Sequence, residues 1–200
     1  EDHDENNASL SETIKSIQVL LSVALFFLYT GVELGLGLWI YSLLTESRGV
    51  APEVAGFVTG SYWGMFTVGR IFAGWYAKKI DVRKLIYLSI SLALFGVALL
   101  LADSSQIITI LGVTLAGFAI APIFPGLVSS TTSRVGFRHQ ANTIGMQIAA
   151  AGLGVAVVPS IGGVLARNFG LEVIPLYLLS ILALLLLVFI ISNSHSGENT

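Results

Sequence analysis

The chain alternates long apolar runs with short polar breaks. The runs cover about residues 17–44, 53–77, 85–102, 107–130, 142–166 and 173–192, and they are separated by segments such as Thr45-Glu46-Ser47-Arg48-Gly49, Lys78-Lys79-Ile80-Asp81-Val82-Arg83-Lys84 and Asp103-Ser104-Ser105-Gln106. A helix needs roughly 20 apolar residues to cross about 30 Å of hydrocarbon. In lipid an open-ended segment can bond all its backbone groups only as a helix, so the pattern predicts six membrane-spanning helices. Ala51-Pro52-Glu53 places a proline and an acid where the second helix should begin. Residues 1–16 read as a linker and residues 193–200 as a polar tail.

Composition turns that pattern into a class. Of 200 residues 54% are hydrophobic and 11% charged, with a mean hydropathy of +0.84, whereas a soluble domain carries roughly 25% charged residues. The chain is therefore expected to be an all-α polytopic membrane protein whose first partner is the bilayer. Cysteine is absent and the net charge is −2, which removes disulfides and thiolate metal sites and gives no reason to expect a nucleic-acid partner. The opening Glu1-Asp2-His3-Asp4-Glu5-Asn6-Asn7 is acidic and lacks Met. It reads as the end of a linker, so the chain is expected to be cut from something longer.

Six spans put both termini on one side of the membrane. That side collects Lys15, Lys78, Lys79, Arg83, Lys84, Arg134 and Arg138, and the other only Arg48 and Arg167. The positive-inside rule then predicts cytoplasmic termini and a multi-pass protein of the plasma (inner) membrane.

Residues 90 apart also correspond: Tyr87, Leu88, Leu92, Ala93 and Leu94 with Tyr177, Leu178, Leu182, Ala183 and Leu184, and Gly64 with Gly154. Spans three and six are leucine-rich, as expected of lipid-facing helices, while the other four hold nearly all the Gly, Pro and intramembrane polar residues. A repeat of three spans inverts its second copy, and a 3+3 inverted repeat is a transporter signature. Gly56, Gly60 and Gly64 stand four apart on one helical face, a spacing that suits close helix packing. Pro122 and Pro125 should interrupt the fourth span and Pro159 the fifth.

Candidate chemistry centres on Glu33, in the glycine-rich stretch Tyr29-Thr30-Gly31-Val32-Glu33-Leu34-Gly35-Leu36-Gly37-Leu38-Trp39. An unpaired ionised carboxylate at that depth costs about 2.5 kcal/mol or more. Three roles fit: a coupling group that takes a cation or proton from one side and releases it to the other, an acceptor for solute hydroxyls, or a structural carboxylate satisfied by Arg70 or by neighbouring helix groups. Tyr29 shares its helical face. In the second span Thr59, Trp63, Phe66 and Arg70 recur at helical spacing, with Tyr62 beside them. Trp63 and Tyr62 are candidate solute contacts, and Arg70 suits a structural or gating role. Gln147 is deep enough in the fifth span to reach a solute, and Asn142 suits a helix cap. An enzyme is not expected: His3, His139 and His195 lie outside the spans, and no metal-binding or phosphate-binding motif appears. No metal or cofactor is called for.

At these residues a family resemblance emerges. Leu28-Tyr29-Thr30-Gly31-Val32-Glu33 with Trp39 resembles the seventh helix of major facilitator transporters of the fucose-permease-like group. Gly117-Phe118-Ala119-Ile120-Ala121-Pro122-Ile123-Phe124-Pro125 resembles the tenth helix, and Gly152 through Pro159 to Gly163 the eleventh. Gly69-Arg70-Ile71-Phe72-Ala73-Gly74 with the basic loop resembles the signature between helices eight and nine. The resemblance implies the C-terminal six-helix half of a twelve-helix secondary transporter, working by alternating access on a small polar solute, a sugar first, with H+ or Na+ as possible coupling ion. It implies a solute and coupling set of Glu33, Tyr29, Trp39, Thr59, Tyr62, Trp63 and Gln147, and a gating set of Arg70, Gly74, Pro122, Pro125 and Pro159. A multidrug or other organic-solute exporter of the same fold, or a non-transporting scaffold or sensor, is the alternative. The other half of the cavity would come from an N-terminal half or a second copy. The signature departs from the family where Lys78 replaces an acid and Asp81 a glycine.

Overall fold

A computed structural model describes residues 8–76, 79–102 and 105–196. The acidic opening 1–7, Ala77 and Lys78 at the start of the basic loop, Asp103-Ser104 of the third turn and the tail 197–200 lie outside the described residues. The helices are α1 (Leu10–Lys15), α2 (Ile17–Ser42, its end widened into a π turn over Leu43–Ser47), α3 (Pro52–Tyr76), α4 (Val82–Leu101), α5 (Gln106–Ile120), α6 (Ile123–Ser129), α7 (Thr131–Val135), α8 (Gln140–Phe169) and α9 (Val173–Ser196).

Among the described residues five stretches are both long and apolar enough to cross a bilayer: Ile17–Ser47, Val82–Leu101, Gln106–Ser129, Phe137–Phe169 and Val173–Ser194. The expected second span, α3, has the length, since its 25 residues rise about 37 Å. It falls short only in apolarity, because five glycines, Thr59, Ser61, Thr67 and Arg70 dilute it. That is the composition of a helix that turns one side to polar groups.

The prolines divide as their positions dictate. Pro122 ends α5 and stands as the cap before α6, so the fourth span is two helices with a turn between them. Pro159 lies inside α8, which continues unbroken to Phe169. The supposed linker is partly structured: the Ala8 amide donates to the Arg138 carbonyl at 2.9 Å, and Thr13 Oγ1 lies 3.1 Å from His139 Nδ1. Asn142, expected as a cap, instead donates from Nδ2 to the Ala8 carbonyl at 2.8 Å and so ties α1 to α8.

The packing follows the repeat. The main contacts of α2 are with α8 and α9, those of α3 with α5, and those of α4 with α5 and α9. If α2, α3 and α4 correspond in order to α5–α6, α8 and α9, then α2–α8 maps onto α5–α3 and α4–α5 onto α9–α2. Each contact thus has its symmetry mate. The individual residues matched at a spacing of 90 do not share surroundings: Leu88 and Leu92 are exposed where Leu178 and Leu182 are buried. The symmetry lies in the order of the helices, and leucine-rich segments match by composition alone.

Glycines set the two crossings, though not the expected ones. Gly154 of α8 lies directly on the Phe27 carbonyl of α2, and Gly69 of α3 lies on the Phe118 carbonyl of α5; Gly117 meets the Tyr62 carbonyl in the same way. Thr30 Oγ1 bridges the first crossing, 2.8 Å from the Ala151 carbonyl and 2.9 Å from that of Phe26. The stripe of Gly56, Gly60 and Gly64, by contrast, is open: a methyl added at any of the three would meet nothing within 4 Å among the described residues. A spacing of four puts residues on one face without saying which face the bundle covers.

Candidate functional site

Glu33 is reached from three helices. It lies mid-way along α2, with its side chain 12% exposed, and its Oε1 is 4.0 Å from Arg70 Nη2 on α3, whose side chain is 42% exposed. The Arg70 guanidinium stacks over the Phe66 ring at 4.7 Å and faces the Phe124 ring at 5.8 Å. Each such cation–ring contact adds about 0.5–1 kcal/mol at exposed sites. Phe124 belongs to α6, and the break at Pro122 is what sets it at the start of a new helix.

Aromatic side chains surround the pair. Phe124 packs edge-on against Phe26 at 5.3 Å and lies 5.9 Å from Tyr29. On α3, Trp63 packs edge-on against both Tyr62 and Phe66, at 5.0 and 5.7 Å. The Tyr62 hydroxyl donates to the Glu33 carbonyl at 2.9 Å, fixing α3 against α2 at the level of the carboxylate. The Tyr29 hydroxyl is buried close to the Glu33 carboxylate, yet closes no hydrogen bond of ordinary length to it or to any other described residue. Gly37 lies against the Trp63 indole, with no room for a side chain between them.

The expected site residues thus fall into two groups. Glu33, Arg70 and Trp63 meet the open side of the bundle, with Tyr29 and Tyr62 fully buried behind them as supports. Trp39 and Gln147 are turned into packing between helices. Trp39 donates from Nε1 to the Pro159 carbonyl at 3.2 Å and fills the space beside Gly162 and Gly163, so it serves the α2–α8 packing. Thr59 stays half-buried on the face of α3 that carries Trp63 and Arg70, with its Oγ1 bonded back to the Ala55 carbonyl of its own helix at 2.9 Å. Gln147 is only 2% exposed; its Nε2 donates to Ser22 Oγ at 2.7 Å and lies 3.1 Å from Thr131 Oγ1, joining α2, α7 and α8. A buried amide needs such partners, and here they are neighbouring helices.

The gating set clusters better. Arg70, Gly74, Pro122 and Pro125, joined by Gly126, line one cleft of about 310 Å³ that runs from Arg70 toward the end of the bundle holding the chain termini. Pro159 lies apart, on α8. At the opposite end a polar tie went unforeseen. Arg48, 7% exposed, donates to both carboxylate oxygens of Glu172 at 2.9 and 2.7 Å and to the Leu100 carbonyl at 2.8 Å. Ser47 Oγ adds a bond to Glu172 at 2.9 Å. The hydrogen bonds from Arg48, then Ser47, hold the Glu172 carboxyl below the usual carboxylate range. The signal was available as a basic residue at an end of the bundle that holds few, together with a lone acid in the last turn before α9. Phe124 was also overlooked, although it stands between two prolines.

Helices of membrane-crossing length, a two-fold order of contacts and a charge pair set among aromatic rings on an open side define a multi-pass helical membrane protein of the transporter type. The profile of the Major Facilitator Superfamily matches residues 21–199, and the chain belongs to that superfamily. It is similar to Bypass of stop codon protein 6 of Saccharomyces cerevisiae, 26% identical over 82% of this chain and 35% of that protein. It is also similar to Sodium-dependent glucose transporter 1 of Homo sapiens, 27% identical over 72% of this chain and 28% of that protein. Glucose/mannose transporter GlcP of Bacillus subtilis is 24% identical over 72% of this chain and 35% of its own length. The chain thus spans about a third of the curated relatives it matches.

Proposed function

We propose that the chain is the C-terminal six-helix half of a secondary transporter that moves a small polar solute, a sugar first, by rocking of two halves about a midplane cavity. The observation that carries this reading is the Glu33–Arg70 pair, 4.0 Å apart and flanked by Phe66, Phe124 and Trp63. A sugar has an apolar ring face that suits an aromatic wall, and hydroxyls that a carboxylate accepts from and a guanidinium donates to. Two of the similar proteins carry glucose in their names, and one of them sodium. In this reading both termini are cytoplasmic and the protein resides in the plasma (inner) membrane. The rest of the cavity comes from an N-terminal half or a second copy, the coupling ion is H+ or Na+, and no resident cofactor is used.

Glu33 is the group that responds to the coupling ion, and Arg70 its counter-charge when the ion is absent. The test is Glu33→Gln in the full-length protein, reconstituted in vesicles. Concentrative uptake driven by a pH or sodium gradient should vanish, while exchange of labelled for unlabelled solute persists. Gradient-driven accumulation at the wild-type level would overturn the coupling role.

A further inference from the structure

We propose that the cleft between the start of α4 and the end of α9 is a binding site for the phosphate headgroup of an anionic phospholipid. The cleft, about 370 Å³, is lined by Arg83, Lys84, Tyr87 and Leu88 of α4 and by Phe189 and Asn193 of α9. Both helices end here, so the cleft lies where hydrocarbon gives way to headgroups. It contains two exposed cations, an amide donor and an interfacial tyrosine over an apolar floor.

The cations at the cleft form no ion pair within the described residues. Beneath the cleft Arg134 of α7 lies over the Phe189 ring at 5.3 Å. It is 5% exposed, and although Nη2 donates to Ser130 Oγ at 2.6 Å, its Nη1 is buried with no partner among the described residues. Among those residues no carboxylate lies within ion-pair distance of Arg83, Lys84 or Arg134. Of the two acids described at this end, Asp81 caps α4 at the edge of the cleft by accepting from the Lys84 amide at 3.1 Å, and Glu12 lies 3.7 Å from Arg138. Burial, with Arg83 adding to it, pushes the Arg134 pKa down to about 10. A buried cation without a counter-charge is costly, and a phosphate in the cleft would relieve the repulsion between Arg83 and Arg134.

The surroundings favour a lipid over a soluble anion. Below the cations Tyr87, Leu88, Leu92 and Phe95 are exposed along one side of α4. Together they offer an apolar track for acyl chains directly under the headgroup position. Basic pockets between spanning helices are the usual shape of such sites.

The test uses the full-length protein in bilayer discs of phosphatidylcholine with a minor fraction of phosphatidylglycerol, followed by native mass spectrometry of retained lipid. Wild type should retain phosphatidylglycerol in preference to phosphatidylcholine. The double variant Arg83→Ala/Lys84→Ala, at two exposed positions, should bind it about thirtyfold more weakly, since each charge near an anionic surface contributes about a factor of five. Lys79→Ala, a cation at the same end outside the cleft, should change binding less than about fivefold. Equal retention by the double variant, or equal retention of phosphatidylcholine by wild type, would overturn the proposal. Displacement of the lipid by millimolar inorganic phosphate alone would overturn the lipid as occupant.

Discussion

The crossing of α2 and α8 can be tested with two glycines two residues apart on the same helix. At Gly154 an added methyl carbon would meet the Phe27 carbonyl oxygen, with Thr30 Oγ1 at 2.7 Å and the Phe27 carbonyl carbon at 2.9 Å. Ordinary carbon contacts sit at about 3.5–4.0 Å, so the helices must part by roughly 1 Å. Backbone cannot rotate out of the way as a side-chain tip can, and overpacking of this kind costs about 1–3 kcal/mol. At Gly152 the same methyl meets nothing within 4 Å among the described residues. Replacing glycine by alanine inside a helix is otherwise worth about 0.5–1 kcal/mol at either position, and that gain cancels in the comparison. Gly154→Ala should therefore be about 1–3 kcal/mol less stable than Gly152→Ala. Thermal unfolding of the detergent-purified six-helix chain, followed by tryptophan fluorescence, should separate them by about 2–4 °C per kcal/mol. A Gly154→Ala variant that melts with or above Gly152→Ala would refute the close crossing.

Two further outcomes follow from the polar ties. Glu172 has a folded pKa below its ordinary value, so its tie to Arg48 contributes fully above about pH 4.3 and fades as pH falls through the lower folded value. With Glu172 half exposed the contribution is about 1 kcal/mol or less; Glu172→Gln should flatten the acid side of the melting-temperature profile between about pH 5 and pH 3, and an unchanged profile would count against the tie. Gln147→Leu takes the partner from the buried Ser22 hydroxyl, while Thr131 keeps its bond to the Leu127 carbonyl, and should cost about 1–3 kcal/mol in denaturation; unaltered stability with lost transport would favour Gln147 as a solute contact.

The lengths of the spans, the break at Pro122 and the carboxylate of Glu33 were all legible in the chain, because each is a local property: apolar run length, a missing amide, an expensive charge. The side each helix turns to the bundle was not. In a soluble protein the apolar face marks the core, but lipid is as apolar as the core, so the contrast that orients a helix is lost. Gly56, Gly60 and Gly64 have the spacing of a packing stripe and face open space, while Gly31, Gly117 and Gly154, with no such regularity, lie at the crossings. Gln147 illustrates the same limit from the polar side. Depth made it look like a solute contact, yet depth only requires that its amide be satisfied, and Ser22 and Thr131 satisfy it.

The pairing of Glu33 with Arg70 invites the view that it is structural, since a counter-charge is present. The geometry argues for a responsive pair. At 4.0 Å the contact is long for a charge-assisted hydrogen bond, which closes to about 2.7–2.9 Å, as Arg48 and Glu172 do in this same chain. Arg70 is also shared with the faces of Phe66 and Phe124, so its charge is held in place without Glu33. A tight structural ion pair would have closed the distance. The proposed transport role needs a carboxylate that is not locked to its counter-charge, and the 4.0 Å separation from an Arg70 held by two rings leaves Glu33 in that condition.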